Sequence, residues 1–474
     1  MYKEDLFEEM PIHSALIRLA LPAVIGQIIM VLYNMADTFF IGLTDNNVKL
    51  TAVTICMPAF MALTAIANLF GVGGTSVISR ALGKKNFDRA SSTSAFSFWL
   101  CLFSSLLYSL LVFMFMDIMV DALGGTDVNV HKEASIYLIY TVVIAGVASS
   151  MNALMAHLVR SEGHSLHASL GVVLGGVVNI ALDPLFMFVI LPRGNEVLGA
   201  ALATGLSNII AFLYYLVLLY SWKMKRTTVL SVRLSKNSFK NKIPQCVLSA
   251  GLPACIMTLA ENISYAILDK LISLYGLEAQ AGIGVAKKIN MLVHSTVRGI
   301  TQGALPLLGY TYSTGNRKRT KKAVLTTVAY AGFAALLFTL ILLTFAHLLV
   351  GLFIGEHNSA LPLGIKFLRI LCVGAPFSAI AYTFISFFQA VGHGGLSFLL
   401  ALLRKGILDI PLMFICKSFI PPYGIVAVTP TVDIICCAVG IVMFIWFSSN
   451  HLKKNKARKR YNPITGKNEV IEQN

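Results

Sequence analysis

The fold class this sequence predicts is an all-α integral membrane protein of twelve transmembrane helices, arranged as two pseudo-symmetric six-helix bundles. Three observations carry that expectation. Of 474 residues, 56% are hydrophobic and only 13% are charged, whereas soluble domains are about 45–50% apolar and about 25% charged. A chain this long cannot hide such a composition in a water-soluble core. Apolar runs long enough to span a bilayer recur along the whole chain. The pattern of motifs is also written twice.

Each span follows from the need for about 20 apolar residues to cross the hydrocarbon layer. Twelve segments qualify, roughly 15–42, 51–79, 90–116, 134–159, 166–191, 197–222, 245–275, 280–311, 323–354, 362–391, 396–416 and 423–447. The segment 280–311 is the most polar of them. Transmembrane strands are excluded, because these runs far exceed about ten residues and do not alternate. The first 18 residues are acidic and lack a basic n-region or a small-residue cleavage site, so the first span is read as a retained helix.

The formal charge of +16 is placed asymmetrically. Loops on the side of the termini hold Lys84, Lys85, Arg160, a basic connection from Lys223 to Lys242, the run Arg317–Lys322 and a basic tail from Lys453. The opposite loops carry only Lys49, Lys132, Arg193 and Lys417. By the positive-inside rule both termini face the cytoplasm of a multi-pass plasma-membrane protein. The basic excess then sets topology and implies no nucleic-acid partner; the tail is read as a juxtamembrane anchor on lipid.

Chemistry-bearing motifs of enzymes are absent from the sequence. The eight cysteines form no CxxC pair, no HExxH occurs and no GxxxxGK[ST] loop occurs. His157, His164 and His167 surround a turn and are expected at the interface rather than on a metal. No cofactor is expected, and the chain is read as a non-enzyme that functions as a monomer.

The repeat divides the chain. Pro22 in Leu-Ala-Leu-Pro-Ala returns as Pro253 in Ala-Gly-Leu-Pro-Ala, the loop around Gly83 as that around Gly315, and Gly163-His164 as Gly392-His393. Asp183-Pro184 returns as Asp409-Ile-Pro411, and Thr204 as Thr429. The expected organisation is a first six-helix lobe at 1–222, a cytoplasmic linker at 223–244, a second six-helix lobe at 245–448 and a tail at 449–474. Six spans per copy place both copies in the membrane the same way, related by an axis along its normal.

Six acids fall inside spans: Asp37, Asp183, Glu261, Asp269, Asp409 and Asp433, of which Asp433 is expected nearest water. Intramembrane carboxylates cost several kcal/mol and normally face a cavity, an ion or a ligand. Asn34 and Asp37 share one face of the first span, and Asn179 and Asp183, at i,i+4, share one face of the fifth. Pro184 leaves the carbonyl of Ile180 without a helical donor. With Thr204 these oxygens suit a hard monovalent cation, Na⁺ at Asp37, Asn179, Asp183 and Thr204, and adjacent carboxylates suit H⁺ equally. The alternative is that these groups satisfy one another between packed helices. In the second copy Asp409 answers Asp183, Asp269 roughly answers Asp37, and the counterpart of Asn179 falls around Arg404-Lys405, which are expected to pair with Asp409. Glu261, whose counterpart is Met30, is a candidate to attract a cationic substrate or to sit as a bonded acid in a helix interface. Tyr33, Met30, Tyr265 and Met257 are candidates for lipophilic contacts with such a substrate.

The sequence resembles the multidrug and toxic compound extrusion (MATE) family of secondary transporters. The resemblance runs through Pro22-Ala-Val-Ile-Gly-Gln27, Asn34-Met-Ala-Asp37-Thr-Phe-Phe-Ile-Gly42, Gly83-Lys84-Lys85-Asn86, Arg160-Ser-Glu-Gly163, Asn179-Ile-Ala-Leu-Asp183-Pro184 and Gly199-Ala-Ala-Leu-Ala-Thr204. It implies a V-shaped pair of bundles that exports organic cations and drugs in exchange for Na⁺ or H⁺. It also implies a coupling-cation site at Asp37, Asn179, Asp183 and Thr204. Glu261 matches a seventh-span Glu used by one branch. The tenth-span Asp of that branch has no counterpart, since 362–391 contain no Asp or Glu, so coupling is expected in the first lobe. Lipid-linked oligosaccharide or peptidoglycan-precursor flippases of the same superfold, and a membrane-embedded enzyme, are the alternatives.

Overall fold

Long apolar sequences without caps or breaks for about 25–35 residues fold here into long helices. The computed structural model describes residues 4–44, 46–240, 242–354, 359–452, 459–461 and 468–470. The expected basic tail from Lys453 lies mostly outside the described residues; within it, Lys459–Tyr461 and Asn468–Val470 pair as a short antiparallel ribbon.

The first six passes are Ile12–Gly42, Asn47–Gly83, Phe87–Met114, a bent fourth from Val128 to Ser161, a fifth from Ser165 to Ile190, and Glu196–Met224. The second six are Ile243–Ser273, Leu277–Ser313, Arg317–Thr344 continued by Ala346–Ile354, a bent tenth from Leu361 to Val391, a broken eleventh from Gly394 to Lys417, and Tyr423–Phe447. Among the described residues, eight helices are long and apolar enough to cross a membrane alone, and ten passes qualify when each bent pair counts as one. The remaining two are the eleventh, which is interrupted, and the eighth, whose polar residues Asn290, Ser295, Thr296, Thr301 and Thr311 turn inward. On the outer surface the third span presents Phe103, Leu106, Leu107, Leu110 and Phe113, the face a lipid-bound helix requires.

The repeat is visible in the caps. Asn86 and Asn316 precede the third and ninth spans, and each side chain accepts a hydrogen bond from the backbone N–H three residues on, at 2.9 Å. Structurally, then, Gly315 (φ +79°) lies opposite Lys85 (φ +55°) rather than opposite Gly83. The alignment of Gly83 with Gly315 is off by two residues, because the conserved feature is the left-handed residue before the cap. Gly163 and Gly392 do correspond: both have positive φ, +87° and +83°, and each turns the chain into the next span at minimal steric cost.

The two lobes meet along the first and eighth spans and along the second and seventh. Close approach is needed there; a Cβ at Gly303 would lie 2.7 Å from the Cα of Ala20. Polar bonds cross the seam as well. Ser76 Oγ donates to the carbonyl of Gln389 at 2.5 Å. The N-terminal helix Glu4–Glu8 reaches the second lobe, with Tyr310 donating to Glu8 Oε1 at 2.7 Å and Arg319 donating to the carbonyls of Phe7 and Met10.

The connection between the sixth and seventh spans is pinned rather than loose. The buried carboxylate of Glu162 accepts from Thr228 Oγ1 (2.7 Å) and from the backbone N–H groups of Val229 (2.6 Å) and Leu230 (3.2 Å). Trp99 Nε1 donates to the carbonyl of Val232 at 2.8 Å. A buried carboxylate with three donors is worth more than neutral hydrogen bonds, and losing it strands the donors. We expect Glu162→Ala to destabilise the protein by about 1–3 kcal/mol and to open the segment 227–232 to protease. Limited proteolysis alongside thermal unfolding checks this, and an unchanged cleavage pattern and melting temperature contradict it.

Candidate functional site

Two buried polar centres occupy equivalent places in the two lobes. In the first lobe, Asp37 comes from the first span, Asn179 and Asp183 from the fifth and Thr204 from the sixth; all four are buried. Asn179 Nδ2 reaches both Asp183 Oδ1 (3.3 Å) and Thr204 Oγ1 (3.4 Å), and Asp37 lies within hydrogen-bonding reach of Asp183 and Asn179. The fifth span widens into a π-helical turn, Leu185–Ile190, directly after Pro184, as expected where a proline cannot continue the helical ladder. Below Thr204, Asn208 donates to the Thr204 carbonyl (2.9 Å) and Asn152 donates to Asn208 Oδ1 (3.0 Å).

This centre has fewer donors than acceptors. Asp37 Oδ1, Asn179 Oδ1 and Asp183 Oδ2 are all buried without a hydrogen-bond partner. No lysine, arginine or histidine pairs with either carboxylate among the described residues. Three orphaned oxygens from two carboxylates and an amide form a set that fits a hard monovalent cation or a proton. No group of three His, Cys, Asp or Glu that could hold a metal ion occurs among the described residues. Asn34 is near in sequence but turns back on its own helix, donating to the Met30 carbonyl at 2.7 Å. Tyr33 stays close to the centre, against the fifth span at Gly176.

The second-lobe centre is built from the same positions with a different balance. Lys405 stands where the repeat puts Asn179, four residues before Asp409, and donates to Asp409 Oδ2 at 3.1 Å; Ser264 donates to the same oxygen. Arg404, expected with Asp409, instead pairs with Asp433 at 2.7 Å and lies over the Tyr382 ring, 4.2 Å from its centroid. Asp433 is therefore enclosed and ion-paired, not near water. Asp269 is the acid that is half exposed, paired with Lys287 near the end of the seventh span.

Glu261 pairs with Arg298 of the eighth span at 2.7 Å, and Tyr382 donates to its other oxygen at 3.3 Å. It is a bonded acid in a helix interface rather than a free one. Tyr265 is flanked by Lys287 and Lys405, 5.4 and 5.2 Å from its ring centroid, so the protein's own cations occupy it.

Between the lobes lies a cavity that Met30 and Met257 line, as do Gln27, Asn68, Gln302 and Gln389. Thin polar bridges cross it. Gln27 donates to Gln302 at 3.4 Å, and His157 Nε2 lies 3.2 Å from Asn68 Oδ1, whose amide donates to Thr258 at 3.0 Å. His157 is thus buried in the cavity wall, not interfacial, because the lobe contact covers its helix. Arg160, expected among the loop charges on the side of the termini, is instead buried and lines this cavity with Arg298, and among the described residues no Asp or Glu lines it.

A family model described as MatE matches the chain twice, at residues 22–185 and 253–415, each match starting at a repeat proline. The chain belongs to the MATE family. The chain is 26% identical over 453 residues to a multidrug export protein MepA of Staphylococcus haemolyticus (strain JCSC1435), covering 95% of this chain and 97% of that protein. A MepA of Staphylococcus aureus (strain MRSA252) is 24% identical over 437 residues, covering 92% and 94%. A MATE crystal structure in complex with MaL6 superposes with TM-score 0.86 at 25% identity, covering 95% of this chain and 99% of that one. An outward-facing multidrug resistance MATE transporter of the MOP superfamily gives 0.84 at 25% identity, over 95% and 98%. This MATE protein is a multi-pass membrane transporter of the twelve-helix, two-lobe fold.

The internal pairs make a sharp stability statement. Lys405→Ala should leave Asp409 buried and unpaired, at a cost of about 3–5 kcal/mol, whereas Lys405→Met with Asp409→Leu should recover most of that loss. Thermal unfolding in detergent of wild type, single and double variants checks the order; a double variant as weak as the single one contradicts it.

Proposed function

We propose that this transporter is a secondary multidrug exporter of the plasma membrane. It expels lipophilic organic compounds, cations among them, in exchange for Na⁺ or H⁺ taken up at Asp37, Asn179, Asp183 and Thr204. The observation that carries the reading is the contrast between the lobes. Each buried acid of the second-lobe centre is ion-paired with a lysine or arginine side chain of the protein, and among the described residues the acids of the first have no such partner. Burying two carboxylates at one depth without counter-charge is costly, so a mobile cation is the partner the first lobe is built to accept.

The cycle follows from that need. With a cation bound, the first and fifth spans draw together; without it, Asp37 and Asp183 repel and the first lobe relaxes. A ligand shifts such an equilibrium only by its differential affinity for the two states, so ion and drug are coupled by preferring different shapes of the first lobe. The lobes, 1–222 and 245–448, rock about the seam on either side of the linker 223–244, with both termini in the cytoplasm. Met30 and Met257 give the cavity adaptable apolar contacts, which suits substrates of varied shape. The two relatives named as multidrug export proteins support the substrate range.

The arginines of the cavity favour a second reading, a flippase for lipid-linked phosphates, although Glu261 already balances Arg298. Dye efflux from proteoliposomes under separately imposed Na⁺ and proton gradients tests the first reading. Efflux should follow one of the two gradients, and Asp37→Asn or Asp183→Asn should each lower it at least about tenfold, the loss of one charged interaction. Efflux and ion dependence unchanged in both variants would falsify the coupling site. Tight binding of a polyprenyl pyrophosphate with no gradient-driven dye efflux would favour the flippase.

A further inference from the structure

The inter-lobe cavity contains a buried cation that no protein group balances. Arg160, at the end of the fourth span, is 4% exposed and lines the cavity. Its guanidinium forms no ion pair and no hydrogen bond with any described residue, and its Nε is buried without a partner. The acid next to it in sequence, Glu162, is no substitute, because both its oxygens are taken by Thr228, Val229 and Leu230. The other arginine of the cavity differs in this respect, since Arg298 is held by Glu261.

An unpaired guanidinium in a low-dielectric wall is unfavourable until an anion arrives. Its planar fork of donors matches a carboxylate with two parallel hydrogen bonds. One cation balances one charge, so a monoanionic carboxylate fits where a pyrophosphate, with several charges, does not. Apolar residues of the same cavity wall, Val72, Ala156, Val172 and Leu305 among them, suit the body of an amphiphile.

We infer that Arg160 forms an anion subsite of the transport cavity, and that carboxylate-bearing amphiphiles, anionic or zwitterionic, are a preferred substrate class of this protein. The inference rests on the cavity being the substrate site. It adds to that reading a charge preference opposite in sign to the first-lobe acids, which do not line the cavity.

The test compares two isosteric fluorescent probes, 6-(dansylamino)hexanoic acid and its primary amide, binding at pH 7 to the purified full-length protein in lipid nanodiscs. Wild type should bind the acid about tenfold or more tightly than the amide, the effect of one charge-assisted pair. Arg160→Gln should abolish that preference, and Arg160→Lys, which keeps the charge without the fork, should retain part of it. Equal binding of acid and amide by wild type, binding of neither, or a preference that survives in Arg160→Gln overturns the subsite. The wild-type comparison decides the matter even if a variant does not fold. Gradient-driven efflux of a cationic dye is measured on the same preparation. Efflux without an acid preference removes the anion subsite alone, whereas absence of efflux removes the transport reading beneath it.

Discussion

Charge cannot be left uncompensated in the bilayer interior, and the arrangement of this protein depends on how that constraint is met in each lobe. In the second lobe it is met by the protein's own basic side chains. Lys405 answers Asp409, Arg404 answers Asp433 and Arg298 answers Glu261. Tyrosine rings at Tyr265 and Tyr382 spread the remaining positive charge over their faces. In the first lobe the same architectural position carries Asn179, an amide in place of an ammonium, and the acids beside it keep oxygens without donors. The exchange of Asn179 for Lys405 is one of the differences between the duplicated halves that give the second centre its own counter-charge and leave the first without one among the described residues.

That difference constrains how motion is distributed. An internal ion pair holds its helices in one arrangement, because separating the partners leaves both charges stranded. Ion pairs tie the seventh span to the eighth and the eleventh to the twelfth, and the Ser264–Asp409 bond joins the two pairs into a frame. The first and fifth spans pack together without an ion pair among the described residues, joined by Ser165 Oγ to the Leu19 carbonyl, and the fifth carries a π-helical turn after Pro184, where a widened turn yields more readily than a regular helix. Across the inter-lobe cavity the bridges are neutral, Gln27 to Gln302 and His157 through Asn68 to Thr258, while charged bonds of Glu8 and Arg319 join the lobes at the N-terminal helix. Neutral side-chain bonds of this kind contribute about 1 kcal/mol each, weak enough to exchange for others as the lobes rock.

The sequence disclosed the parts of this arrangement that follow local spacing. Asn179 and Asp183, and Lys405 and Asp409, are legible because four residues place side chains on one helical face. Asp37 is legible because an acid in an apolar run is costly enough to need a reason. Pairings between spans were not legible: Arg404 with Asp433 and Arg298 with Glu261 lie 29 and 37 residues apart, distances at which no periodicity speaks. For that reason Asp433 looked like the acid nearest water, and Glu261 stayed open between a substrate-attracting acid and a bonded one in a helix interface. His157 was read as interfacial and Arg160 as a loop charge, because their helix end reads as a turn until the second lobe covers it. The signal that was available is their spacing of three on the helix Gly146–Ser161, which carries no other ionisable side chain.

The uncompensated groups of opposite sign both belong to the first lobe, and this has a consequence for the cycle. Asp37 and Asp183 favour the lobe when it holds a cation, and Arg160 favours it when an anion stands in the cavity. A substrate that supplies the anion leaves the acids to the coupling ion, so the two ligands do not contend for one site. Their coupling then has to run through the shape of the first lobe, because the charges they neutralise are different. A purely cationic substrate in the cavity leaves Arg160 unanswered and, because neither Asp37 nor Asp183 lines the cavity, would also have to couple to the ion through the shape of the first lobe. The neutralised second lobe serves both as the fixed wall.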